Sequence, residues 1–332
     1  MDASPFLERL RDHAASVGTP PGGPPGPGDP DRQGAQSERA AGVQPAQRGP
    51  AQPAGDRQVG FWQSPVVRAA INRRITGDPE LGPETYFARR HGPSIIAPHV
   101  LSLRASDAKL EVAIVEAGSC ERVTGLDDEQ GRVDFAAGRV PEPLRARIGF
   151  QLGTLERWQP AEPLGAVLSR SFLHRRADLE AVLDRLEAML APGGLLFVED
   201  FVGPSQFQWT GAQLDAINRL LARLPPELLT DLSSEDGRVK RTVERPDLGR
   251  RIAASSQEAV RSGEILAALD ARFERVEVRP YGGAIFHQLF SRIMGNFAER
   301  PDLVGVLMEV DALLTDAGVV GSDYVWGVWR RR

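Results

Sequence analysis

Several things are scarce in this sequence, and each scarcity closes off a class of protein. Among 332 residues there is a single cysteine, Cys120, so no internal disulfide can form. Of the five histidines, His13, His91, His99 and His287 have no ligand-like spacing, and with one cysteine no metal cluster is expected. No apolar run has the length needed to cross a bilayer. The first residues, MDASPFLERLRDHAASVG, lack the apolar core of a signal peptide, so a reducing, cytoplasmic setting is the expectation. An excess of positive charge is missing too. Lys and Arg number 40 against 45 Asp and Glu, a net charge of −5, and nothing in the bulk charge invites nucleic acid or an anionic membrane. There is also no internal repeat.

What is present divides unevenly. Residues 1–17 carry Phe6, Leu7 and Leu10 at the spacing of one short helix. Residues 18–57 are Pro, Gly, Gln, Ala and scattered charge, with Val43 their only large aliphatic. Such a segment has too little apolar surface to offset its ordering entropy, and it is expected to be a disordered tether. The folded domain is expected over 58–332. It opens with cap helices over 58–97, where Trp62, Val66, Val67, Ala70 and Ile71 recur at roughly helical spacing before a break at Gly77-Asp78-Pro79.

The rest is organised around Pro98–Asp128. Val100, Leu101 and Leu103 form a short apolar strand, Leu110, Ile114 and Val115 recur as on a helix, and a second strand ends at Asp127-Asp128. A parallel βαβ unit with an acid at its second strand tip suits a nucleoside cofactor, whose ribose hydroxyls the acid accepts. One thing is absent here as well: the first loop, Arg104-Ala105-Ser106-Asp107-Ala108-Lys109, has no glycine. Further strands are expected at 147–152, 165–169, 195–202, 273–278 and 323–329. Helices are expected at 177–190, 210–223, 262–272, 285–297 and 302–317, with Pro192-Gly193-Gly194 as a stop and turn. Residues 204–262 read as a cap insertion, and Arg330-Arg331-Arg332 as a solvated tail.

These landmarks, LSLRASDAKLE, VTGLDDE, RIGFQLGTLERW, the long run SRSFLHRRADLEAVLDRLEAMLAPGGLLFVEDFVGPSQFQW and YGGAIFHQLF, together resemble the class I S-adenosylmethionine-dependent methyltransferases, over roughly Phe61 to Trp329. The resemblance implies an α/β, Rossmann-like doubly wound sheet of seven mostly parallel strands, with one antiparallel strand and helical caps. It implies S-adenosylmethionine as cofactor, with Arg104, Ser106, Asp107, Asp127, Thr154 and Ser169 around it, and Asp128 as a second choice for the ribose. Thr154 stands where the family often has an acid that meets the adenine amino group. His174 falls among the family's substrate-side residues, where an imidazole takes the acceptor's proton. Trp62, Tyr86, Phe207 and Trp209 are candidates to line the acceptor pocket, with Glu199 and Asp200 at the strand edge beside it.

Two functions remain open at this point. One is methyl transfer to a small-molecule hydroxyl or amine. The other is a non-catalytic protein of the same fold that binds a protein partner or regulates it, which the glycine-free loop and the tether favour. A homodimer is one assembly in view. A fold-sharing enzyme with cofactor-independent chemistry has no residue-level signal, and a dinucleotide dehydrogenase needs the same missing glycines.

Overall fold

The computed structural model describes residues 60–104, 106–254 and 257–332; the expected helix at 1–17 and tether at 18–57 lie outside them. Two strands, β1 (His99–Leu103) and β4 (Leu164–Arg170), are buried along their whole length, which marks them as the centre of a sheet covered on both faces. Around them lie β2 (Arg122–Asp127), β3 (Ile148–Leu152), β5 (Leu190–Phe201), β6 (Phe273–Gly282) and β7 (Tyr324–Arg331). The order is β3-β2-β1-β4-β5-β7-β6, and β7 runs antiparallel to both its neighbours. This is the seven-stranded Rossmann-like methyltransferase arrangement.

Alternate residues of the central strands face opposite ways. Val100, Ala166, Leu168, Phe197 and Val328 enter one apolar cluster, and Leu101, Val167, Leu196, Val198 and Trp329 the other. The first is covered by α1 (Pro65–Thr76), α2 (Pro83–Arg90) and α3 (Lys109–Glu116), and the second by α5 (Leu179–Met189) and α8 (Ile265–Arg272). Between β2 and β3, α4 (Gln130–Arg139) completes the crossover. Local chemistry sets the helix starts. The Asp178 carboxylate accepts from the Ala181 amide, and Thr210 and Gln213 cap each other reciprocally at α6 (Gly211–Leu221). In the 204–262 segment α6 is followed by the short α7 (Leu248–Ala253).

Three expectations are corrected. Pro192-Gly193-Gly194 is not a separate turn but lies within β5, which begins at Leu190 directly after α5 ends at Met189. The helix expected over 285–297 is broken into α9 (Phe286–Phe290) and a 3-10 turn at Met294–Phe297, because Ser291 leaves helical geometry and Arg292 is left-handed at φ 66°. The Lys240 ammonium takes up the carbonyls freed there, donating to Gln288, Leu289 and Ser291. That contact is tertiary and has no local signal. The C-terminal arginines are also not a solvated tail. β7 runs through Arg331, and the Arg332 guanidinium donates to the carbonyls of Asp270, Ala271 and Phe273, where α8 ends and its last carbonyls lack intrahelical partners. The helix α10 (Pro301–Asp316) packs behind α1.

Burial pushes the Cys120 thiol up to about 11. It should therefore resist an aromatic disulfide reagent in native buffer at about pH 8 and react fully in guanidinium chloride. Fast native labelling would show that this part of the core opens readily.

Candidate functional site

The cleft lies at the carboxyl ends of β1, β2 and β4, as the doubly wound topology dictates. Its floor is apolar, made by Leu103, Leu126, Leu155 and Phe172, and it encloses a cavity of about 130 Å³. The walls are cationic. Arg104 comes from the loop after β1, Arg132 from the first turn of α4, and Arg175 and Arg176 from the turn after β4.

The first loop explains how a side chain reaches the cavity. Arg104 and Ala108 both sit in the left-handed region, at φ 66° and 59°. This is a conformation that a Cβ penalises by about 1–2 kcal/mol per residue. Arg104 is half-buried, and its guanidinium makes no hydrogen bond or ion pair among the described residues. Burial, with Arg175 and Arg132 nearby, holds it below the ordinary guanidinium range.

Asp127 is at the tip of β2, borders the cavity and is only 4% exposed. Its carboxylate is already engaged. Arg132 Nε donates to both oxygens at 2.9 Å, Arg132 Nη2 lies 2.7 Å from Oδ1, and the Glu129 amide donates to Oδ1 at 2.9 Å. Arg132 is held by Asp128 and Glu129 as well, and the hydrogen bond to Asp127 raises its guanidinium above the usual range. A ribose would have to displace this pair.

Ser106 and Asp107, expected at the cofactor's amino-acid portion, turn toward Arg170 instead. This arginine closes β4, and its guanidinium reaches Ser106 Oγ at 3.3 Å, Asp107 at 3.7 Å, Glu84 at 3.1 Å and Glu199 at 3.1 Å. Those carboxylates hold it above the guanidinium range against the cost of burial. Thr154 lines the cavity. Ser169 does not: it is fully buried within β4, and its hydroxyl has no partner among the described residues.

His174 is clamped from both sides. Nδ1 lies 2.5 Å from Asp200 Oδ1 and Nε2 lies 3.0 Å from Glu258 Oε2, and the two carboxylates lift the imidazole to about 8 despite burial. Asp200, the penultimate residue of β5, also accepts the amides of Phe172, Leu173 and Phe201. Neither ring nitrogen is left to take a proton from an acceptor. The aromatic candidates form a packed cluster. Phe207 and Trp209 stack with centroids 5.3 Å apart and are buried, Trp62 meets Tyr324 and Phe286 edge-on, and Tyr86 donates to Glu277 at 2.9 Å. His287, beside Tyr324, is held neutral by burial, down at about 3. Rings therefore fill the region assigned to an acceptor.

Arg132, Arg170 and Glu258 were missed by sequence reasoning. An arginine closing the apolar strand LGAVLSR and one five residues after the strand-tip acid were the available signals. Glu258 had none, because it arrives from the 204–262 segment. Among the described residues no group of three or more His, Cys, Asp or Glu is arranged to hold a metal ion.

No protein-family model matches the chain. Its course is similar to that of an S-adenosylmethionine-dependent methyltransferase from Mesorhizobium loti, at 15% identity over 75% of this chain and 99% of that one, with TM-score 0.43. The StiE O-methyltransferase segment gives 13% identity, 74% and 73% coverage and TM-score 0.42. The [4+2]-cyclase SpnF gives 14%, 74% and 79%, and 0.42. The fold assignment rests on the strand order itself.

Proposed function

We propose that this chain is a methyltransferase-like protein that has given up methyl transfer, acting as a partner-binding or regulatory subunit of another protein. The observation that carries this is the Asp127–Arg132 pair with Arg104 beside it. S-adenosylmethionine does not fit this arrangement. Its ribose acid is engaged by a guanidinium, and its sulfonium would enter a cavity lined by four arginines against two carboxylates, both already bound by Arg132. On the acceptor side, Phe207 and Trp209 are packed into a buried ring cluster, and both nitrogens of His174 are engaged by carboxylates. A long Pro- and Gly-rich segment ahead of the domain suits recruitment by a protein partner.

A second reading keeps S-adenosylmethionine and a small hydroxyl or amine acceptor. It is favoured by Asp127 and Thr154, which border one cavity as a nucleoside site requires. That reading needs Arg104 and Arg132 to swing away when cofactor arrives.

A calorimetric titration of the full chain with S-adenosylmethionine, then S-adenosylhomocysteine, separates the two. No heat of binding is expected from either. Micromolar binding would overturn the non-catalytic reading and make acceptor screening the next step.

A further inference from the structure

Four guanidiniums converge on one small, apolar-floored cavity, and their partners differ. Arg132 is committed to Asp127, Asp128 and Glu129, and these hold it at the cavity wall. Arg175 holds Glu258. The Arg176 guanidinium sits over the Phe172 ring, its carbon 3.8 Å from the centroid, with Glu156 as its ion-pair partner at 3.5 Å, and its buried Nε has no hydrogen-bond partner among the described residues. Arg104 has none for its whole guanidinium. The two carboxylates that line the cavity, Asp127 and Asp128, are both taken by Arg132. What remains is the Arg104 guanidinium, with no hydrogen bond among the described residues, and the Arg176 Nε, likewise unpartnered among them.

An unsatisfied guanidinium in a low-dielectric site is costly, and the group that relieves it best is a compact anion with several oxygens. Guanidiniums match phosphate oxygens in pairs, as they do carboxylates, with geometric as well as electrostatic preference. The space between these side chains, about 130 Å³, suits a phosphate group with a small substituent. We propose that the cavity between Arg104 and Arg176 binds a dianionic phosphate group, either inorganic phosphate or a small phosphomonoester, in the place a methyltransferase gives to its sulfonium cofactor. Arg104 and Arg176 grip the oxygens and Arg175 adds charge, with Thr154 lining the same cavity. This inference rests on the non-catalytic reading of the cleft. A ligand held there would bring together the loop after β1, the turn after β4 and the 204–262 segment, which supplies Gln257 and Glu258.

The test is calorimetric titration of the full chain with inorganic phosphate and, separately, glycerol phosphate at constant ionic strength, alongside a thermal melt in each. Saturable binding at submillimolar concentration and a raised melting midpoint are expected. Tighter binding of glycerol phosphate than of phosphate would assign the site to an ester, and the reverse to the free ion. Arg104→Met and Arg176→Met should each weaken binding about tenfold or more, since each removes a charge-assisted contact. The exposed Arg219→Met should change nothing. Arg104→Met should also fold normally, because it keeps an apolar stem and removes an uncompensated charge; Arg176→Met serves as the independent variant if it does not. Absence of saturable heat from either phosphate compound with folded protein would overturn the proposal. So would unchanged affinity in both cavity variants. Failure here with no response to S-adenosylmethionine leaves the non-catalytic reading standing, whereas binding of S-adenosylmethionine would remove both.

Discussion

Asp200→Ala should lower the unfolding free energy by about 3–5 kcal/mol, the range seen when one partner of a buried ion pair is removed. Asp200 is almost wholly buried and accepts four hydrogen bonds, from the amides of Phe172, Leu173 and Phe201 and from His174 Nδ1. Its loss orphans three amides and leaves the imidazolium facing Glu258 alone. Urea denaturation at neutral pH measures this, and a change below about 1 kcal/mol would show that water replaces the carboxylate. The same clamp imposes a pH dependence. His174 stands at about 8 in the folded protein, above the ordinary 6.5, so its contribution is complete below pH 6.5 and is lost as pH rises through about 8. That difference corresponds to about 2 kcal/mol. The stability difference between wild type and His174→Gln should therefore shrink as pH rises from about 6.5 through 8, while Lys240, lowered to about 7 by burial, adds a slope of opposite sign to both proteins. A slope unchanged in the variant would assign the titration elsewhere.

The second large effect is expected at Arg170. Arg170→Met should destabilise the domain by about 3–5 kcal/mol, because Glu84, Asp107 and Glu199 would then face one another without the cation between them. Arg170→Lys keeps the charge and loses the fork that reaches three carboxylates, so it should fall between. The three partners come from α2, the loop after β1 and β5. Loss should therefore appear as earlier hydrogen exchange in α2 and the Ser106–Ala108 segment together. Wild-type stability in Arg170→Met would mean the carboxylates relax into solvent. The ion pairs would then be incidental to the architecture.

The fold was legible because periodicity carries it. The apolar runs of β1, β4 and β5 and the helical spacing of Leu179, Val182, Leu183 and Leu186 each have one low-energy way to be buried. Element ends moved where tertiary partners intervened. β6 extends through Gly282 because β7 lies alongside it, and the 285–297 helix breaks where Lys240 and Asp231 meet it. The candidate site was legible as a set of positions and much less as a set of roles. Asp127 does end the second strand, yet whether a strand-tip acid is open depends on what the next helix turn brings, and here that is Arg132.

By itself, then, the sequence determined the order of strands and helices, the position of the cleft and the absence of glycine from its first loop. These follow from side-chain periodicity and backbone preference, which are local. Only the tertiary structure decided what occupies the cleft. Long arginine side chains reach partners far away in sequence, as Arg170 reaches Glu84 and Arg175 reaches Glu258. Their charges sum within a shared low-dielectric space, where the outcome depends on distances that no local pattern encodes.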